Sequence, residues 1–268
     1  MTQSNTSNEK LDKLRQIVSA LRDPENGCPW DIEQTFSSIA PYAIEEAYEV
    51  FDAVSNENWT NLEKELGDLL LQTVYQSQIA SEKGLFDLSS VISKVSQKMI
   101  DRHPHVFKKS SPERTIDEQM IEWESIKEKE RSIEENSGVL AGIALALPAL
   151  TRSFKIQQRA SRVGFDWKSI NPVYDKVFEE IKELKNASVS GTEVEIKEEL
   201  GDLLFSIVNL ARHLSIEPED ALRSANLKFI KRFDYIEKVA IENLQSLNSL
   251  SEAQWERRWE EAKKLEKL

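Results

Sequence analysis

The chain has 268 residues, of which 40% are apolar and 31% charged, with a formal net charge of −12. That acidic balance argues against general nucleic-acid binding, which calls for a basic face. The single cysteine, Cys28, excludes an internal disulfide and fits a reducing compartment.

Eight Gly and eight Pro are too few for a turn-rich all-β chain, and the abundant Glu, Lys, Leu, Ala and Ile favour helix. The polar opening MTQSNTSNEK has no apolar signal core, and no apolar run reaches membrane-spanning length. A soluble cytoplasmic protein is expected. Residues Lys10–Leu21 carry a helical pattern that stops at the loop RDPENGCPWD. A helix is expected over Pro41–Val54, opened by Pro41, with an apolar stripe of Ile44, Ala47, Tyr48, Phe51 and Val54. The next runs from Trp59 to Lys83 and is capped by Gly84. Helices follow over Leu88–Arg102, stopped by HPHVF, and Ile116–Ile133. EENSG reads as a linker. Beyond it LPAL opens a helix through Arg162, and VGFDWKSINP is a loop. Further helices are expected over Val173–Lys185, Glu193–Leu214, Pro218–Val239 and Ser251–Leu268. With no alternating strand pattern, the fold class is all-α, in two tandem helical domains over 1–134 and 138–268.

The halves are a repeat. ELGDLL occurs at Glu65–Leu70 and again at Glu199–Leu204, and the same offset lays Glu45, Glu46 and Glu49 on Glu179, Glu180 and Glu183 without a gap. GCPWD around Trp30 answers GFDW around Trp167. Lys98 and Arg102 answer Lys228 and Arg232; Trp123 and Lys127 answer Trp259 and Lys263.

Residues i and i+3 share a helix face, so Glu46 pairs with Glu49, and Glu65 with Asp68. The two helices joined by a short polar turn are antiparallel neighbours. From a turn centred on residue 57, Glu49 and Glu65 are each eight residues away, and Glu46 and Asp68 eleven. From Gly191, Glu183 and Glu199 are eight away, and Glu180 and Asp202 eleven. Four carboxylates at one height repel unless a cation joins them. Mg²⁺ takes such oxygen ligands. The three histidines, His103, His105 and His213, lie away from both clusters, which argues against zinc and against a carboxylate-bridged di-iron redox bundle. A lone pair of acids on a helix is ordinarily a solvated face; matched heights in two copies set these apart. Gly67 and Gly201 stand between the acids, where a helix interior tolerates glycine at a cost of about 1 kcal/mol. Close approach of a neighbour is one explanation and inheritance through the repeat the other.

Each Lys/Arg pair puts two cations on one helix face, which reads as ordinary surface charge or, beside a metal cluster, as a grip on polyphosphate. Each Trp reads equally as core packing or as a wall for a base. No phosphate-cradling GxxxxGK[ST] loop occurs.

LRDPENGCPWDIEQT, EEAYEV, ELGDLL, RHPHVF and the second GFDW…EEIKEL…EELGDLL resemble the MazG family of nucleoside triphosphate pyrophosphohydrolases, in the right order over nearly the whole chain. The resemblance implies an all-α fold completed by association of two such units, commonly as a homodimer. It implies Mg²⁺-dependent hydrolysis of nucleoside triphosphates to the monophosphate and pyrophosphate, with broad base tolerance and a role in nucleotide-pool housekeeping. By position, Glu180, Glu183, Glu199 and Asp202 would hold Mg²⁺ as the catalytic set. Lys228, Arg232, Trp259, Lys263 and Lys127 would contact nucleotide. Glu46, Glu49, Glu65 and Asp68 are the first-half metal set, with Lys98 and Arg102 as its basic partners. Glu45 and Glu179 would stand behind the ligands. Neither stable nucleic-acid binding nor membrane association is expected. The competing reading is a non-catalytic nucleotide-sensing or protein-interaction module on the same hairpins.

Overall fold

The computed structural model of the chain describes residues 3–107, 115–133 and 138–266. Among these residues there is no strand, and the helices run α1 (Gln3–Leu21), α2 (Pro29–Glu33), α3 (Phe36–Ser55), α4 (Trp59–Glu82), α5 (Leu88–Arg102), α6 (Pro104–Phe107), α7 (Ile116–Ile133), α8 (Ala149–Arg162), α9 (Asn171–Ser190), α10 (Glu193–His213), α11 (Pro218–Glu242) and α12 (Glu252–Leu265). Contacts divide the chain into two compact units, Met1–Ile126 and Lys127–Leu268, so the division falls inside α7. The expected EENSG linker lies outside the described residues apart from Gly138. No helix is long and apolar enough to cross a membrane among the described residues.

In the first unit α3 and α4 form the antiparallel hairpin, and α1 packs on α4. Leu11, Leu14 and Val18 recur at helical spacing on α1 and meet Ile39, Val74, Tyr75 and Ile79. In the second unit α9 and α10 make the matching hairpin, α8 packs on α10 and α11, and α12 packs on α11. Val173, Val208, Ile236, Ala240 and Ala262 are buried there.

Local chemistry corrects several boundaries. Helix α3 starts at Phe36, not Pro41, because Thr35 and Ser38 form a reciprocal capping box upstream. Pro41 therefore sits inside the helix, exposed, at the cost of one backbone hydrogen bond. Within RDPENGCPWD the chain makes the short helix α2, with Pro29 in its first turn. Gly27 in that loop is required, since an added Cβ would lie 2.5 Å from the carbonyl oxygens of Asp23 and Leu21. Helix α9 extends at both ends of the expected span, and α10 opens on a capping box between Thr192 and Glu195. Gly84 does end α4, at φ +65°, and the Leu85 N–H donates to the Ala80 carbonyl at 3.0 Å.

The α3 stripe faces outward. Ile44 is 50% exposed, Tyr48 39%, Phe51 37% and Val54 48%, and on α4 Leu66 and Leu70 are 50% and 45% exposed. The second hairpin repeats this with Phe178, Ile181, Leu200 and Leu204. One acid of each hairpin, Glu65 and Glu180, is buried instead.

Gly67 and Gly201 lie exposed on α4 and α10, and an added Cβ at either meets nothing within 4 Å among the described residues. No neighbour within either unit explains them. Gly201→Ala is therefore expected to raise the thermal midpoint by about 2–4 °C, the effect of about 1 kcal/mol in a chain of this size. A lower midpoint in scanning calorimetry would show that the site needs its glycine.

Candidate active site

The α3–α4 hairpin brings Glu46, Glu49 and Glu65 together, each offering a carboxylate oxygen within 4.8 Å of the others. Glu65 is 2% exposed, and its Oε2 is buried without a hydrogen-bond partner. The Lys64 ammonium stands 3.1 Å from Glu65 and 3.9 Å from Asp68. The mutual repulsion is visible in the acidities. Burial first, then the charges of Asp68 and Glu65, raises the Glu46 pKa. A hydrogen bond with Glu65 and the charge of that carboxylate raise Glu49, while Lys64 holds Glu65 down.

In the second hairpin the group is Glu180, Glu199 and Asp202, again within 4.8 Å. Glu180 is 4% exposed and pairs with Lys176 at 2.7 Å. Lys176 also reaches Glu179 at 3.1 Å, and these carboxylates push its amine pKa up. Burial, then the charges of Glu183, Glu180 and Asp202, raises Glu199. Three of the four height-matched acids in each hairpin thus lie within 4.8 Å of one another. Asp68, 3.9 Å from Lys64, and the exposed Glu183 still raise Glu46 and Glu199 by their charge.

Both groups are oxygen-only, come from two helices, and contain a deeply buried carboxylate. In the first, one oxygen has no partner at all. Such a donor set fits a hard divalent cation. His213, by contrast, bonds Asp166 at 3.0 Å, and His103 bonds the Met99 carbonyl at 2.7 Å, so neither serves the acids.

The second group opens onto a cavity of about 550 Å³ lined by α8, the loop before α9, α9 and α10. Glu180, Asp202 and Lys176 are on its wall, with Phe165 and Trp167 from the VGFDW loop and Gln157 from α8. Asp166 anchors that loop. The Arg212 guanidinium donates to it at 2.9 and 2.5 Å and holds its carboxyl below the usual range. Trp167 is therefore a cavity wall. Lys176, Gln157, Asn209 and Arg212 escape sequence reasoning, although Lys176 lies one helical turn before Glu180, a signal that can be read.

The basic and aromatic residues assemble elsewhere. Arg232 on α11 pairs with Glu266 at 2.7 Å and stacks over the Trp259 ring, 5.4 Å from its centre. Trp259 packs on Phe229 at 5.2 Å, and Lys263 pairs with Glu260 at 2.5 Å. Lys228 is exposed on the same helix. None of these four lines the cavity. Lys98 is exposed and Arg102 half-buried on α5, and Lys127 is half-buried on α7.

The repeat diverges two helical turns along from the acids, among other positions. Tyr75 of α4 is the counterpart of Asn209 of α10. Tyr75 is buried in the first core and donates to Asp31 Oδ1 at 2.7 Å, with burial pushing its phenol up to about 12. Asn209 lines the cavity and accepts from Arg212.

The model of the MazG nucleotide pyrophosphohydrolase domain matches the chain twice, over residues 34–107 and 169–236. The chain belongs to the MazG family. A nucleoside triphosphate pyrophosphohydrolase of Escherichia coli K12 is 45% identical over 259 residues, spanning 96% of this chain and 98% of that protein. One from Thermotoga maritima, a nucleoside triphosphate pyrophosphohydrolase/pyrophosphatase MazG, is 44% identical over 94% of this chain and 95% of its own length. YabN of Bacillus subtilis, an uncharacterized protein, is 42% identical over 96% of this chain, which covers 52% of it. Each MazG match holds one acid hairpin complete. Gln157, Phe165, Trp167, Trp259 and Lys263 lie outside both matched segments.

Proposed function

We propose that this MazG chain hydrolyses nucleoside triphosphates to the monophosphate and pyrophosphate, with Mg²⁺ as its metal and broad tolerance of the base, as a housekeeper of nucleotide pools. The observation that carries this is the meeting of Glu180, Glu199 and Asp202 at a cavity walled by Phe165 and Trp167. The names of the full-length relatives support it. Glu180, Glu199 and Asp202 would hold the cation, and the first-hairpin acids a second one. Bound there, Mg²⁺ supplies polarisation of the phosphate oxygens and offsets their charge. Lys176 offers a further positive charge on the cavity wall. Glu183, whose charge is felt by Glu199, is proposed to join them as a fourth ligand, and one carboxylate of the set would accept the proton of the attacking water. Lys228, Arg232, Trp259, Lys263 and Lys127 are proposed nucleotide contacts, with Lys98 and Arg102 in the same role for the first half. Arg232 must give up its ion pair with Glu266 to play that part.

Incubation of pure protein with each nucleoside triphosphate and Mg²⁺, with the products identified, tests the reading. Monophosphate and pyrophosphate are expected. Diphosphate and orthophosphate would place the cleavage elsewhere, and no turnover by folded, metal-replete protein would favour a binding module.

The raised acidities give a second test. A carboxylate with a raised folded-state pKa adds stability below its ordinary value of 4.5, and that contribution is lost as pH rises through the folded pKa. At neutral pH the acid groups therefore strain the metal-free fold, and Mg²⁺ should relieve them. At 100 times its dissociation constant a cation adds about 2.7 kcal/mol, or about 5–10 °C in midpoint. The shift should shrink toward pH 5, where protons compete. A midpoint indifferent to Mg²⁺ at pH 7.5 would count against the metal.

Domain limits of 1–134 and 138–268, a homodimer and a cytoplasmic location complete the proposal. The exposed apolar faces of the two hairpins support the dimer.

A further inference from the structure

The loop over residues 163–170 carries the aromatic wall of the second cavity, and its rings are held by little packing of their own. Phe165 is 83% exposed and Trp167 43%. Where so little area is buried, apolar contact contributes little to fixing a side chain. The start of the loop is tied to α8: Gly164 turns the chain at φ +89°, and the Phe165 N–H donates to the Ala160 carbonyl at 3.2 Å. The second tie runs to the last turn of α10 and passes through one carboxylate.

Asp166 Oδ2 accepts from Arg212 Nη1 at 2.9 Å. Its Oδ1 accepts from Arg212 Nη2 at 2.5 Å and from the Trp167 backbone N–H at 2.9 Å, with His213 Nε2 3.0 Å away. The side chains of Asp166, Arg212 and His213 are 25%, 13% and 13% exposed, so water competes weakly for these bonds. A two-pronged guanidinium–carboxylate pair fixes direction as well as distance. Arg212 also donates to Asn209 Oδ1 at 3.0 and 2.8 Å, and Asn209 lines the cavity. One guanidinium thus joins the loop bearing Trp167 to the helix bearing Asp202. The first unit ties its loop differently. Asp31 of GCPWD takes its bond from the buried Tyr75 hydroxyl, and Gln78 and Ile79 stand at the repeat positions of Arg212 and His213.

We propose that Asp166 is a positioning residue for nucleotide binding: clasped by Arg212 and His213, it holds Trp167 on the cavity as a flat wall against which a base packs. This rests on reading the cavity as a nucleotide site. Such a wall grips the base equally before and during bond cleavage, so losing it weakens substrate binding and spares the chemical step.

Steady-state kinetics test this, on the full chain with Mg²⁺ and the nucleoside triphosphate that wild type turns over fastest. Asp166→Asn keeps the size of the side chain and removes the charge that Arg212 grips. It is expected to raise KM by about tenfold, the worth of a charge-assisted hydrogen bond, with kcat within about twofold of wild type. Arg212→Lys, which keeps the charge and loses the fork, should raise KM in the same direction. Trp167→Leu should raise KM at least as much as Asp166→Asn. The double variant should be no worse than Trp167→Leu alone, because Asp166 acts through that ring. An unchanged KM in any of the three single variants overturns the role. So does a fall in kcat that matches the rise in KM, and so do effects that multiply in the double variant. Failure of Asp166→Asn and Arg212→Lys to fold, read by circular dichroism, overturns it too, since that marks a clasp serving the fold alone. In each of these cases wild-type turnover leaves the nucleotide reading standing. Turnover of no triphosphate at all by wild type overturns that reading, and this inference with it.

Discussion

Glu180→Gln is expected to lower pyrophosphate release from nucleoside triphosphates by about 100-fold or more. Even residues that only support a metal's ligands cost 10–100-fold when changed, and Glu180 is proposed as a ligand itself. Its carboxylate is 4% exposed and stands within 4.8 Å of Glu199 and Asp202. Glutamine keeps the shape and removes the charge, leaving Lys176 paired with Glu179 alone. The matched change in the other hairpin, Glu65→Gln, is expected to lower turnover less, because Glu180 and Asp202 of the second group wall the cavity with Lys176. Steady-state rates of both variants, with circular dichroism to check the fold, decide the matter. Full activity in Glu180→Gln would remove the second hairpin from the chemistry, and a larger loss in Glu65→Gln would move the chemistry to the first.

Charging the outward leucines should take the proposed homodimer apart. Leu66 and Leu200 are 50% and 46% exposed within one chain, so Leu66→Glu with Leu200→Glu leaves each unit's own packing alone. At an apolar interface each new carboxylate has no partner and costs several kcal/mol, where every 1.4 kcal/mol is tenfold in affinity. Association should weaken by about 100-fold or more, and sedimentation should move from twice 30.8 kDa to the mass of a single chain. A wild-type chain that already sediments as a monomer at micromolar concentration would dispose of the dimer.

Helix existence and the two acid hairpins were legible because they depend on local spacing: turn residues, caps and i, i+3 acids. Counting outward from residue 57 and from Gly191 found both clusters. It does not say which side chains reach within 4.8 Å of one another, because height along a helix does not encode side-chain direction. The start of α3 was missed because Pro41 is a conspicuous opening signal and the Thr35–Ser38 box a quiet one. The direction of the α3 stripe was legible only as a problem, since the acids lay opposite it. The structure resolves that problem by leaving the stripe outside. The cavity was beyond reach: Gln157, Phe165 and Asn209 come from separate segments, and no spacing rule joins a helix, a loop and a second helix.

The duplicated outward face bears on how copies recognise one another. Two hairpins with the same leucines invite crossed pairing, first hairpin to second, and such unlike contacts propagate into open chains rather than closing. The remaining positions on the two faces differ in kind. Where the first carries Tyr48 and Phe51, the second carries Lys182 and Lys185 at the same repeat positions, all exposed. The lysines would repel a like face less readily buried than aromatic rings, so the two hairpins are sorted by chemistry although they are built to one plan. Exchanging these pairs between the hairpins should turn a single closed species into a ladder of masses that lengthens with concentration.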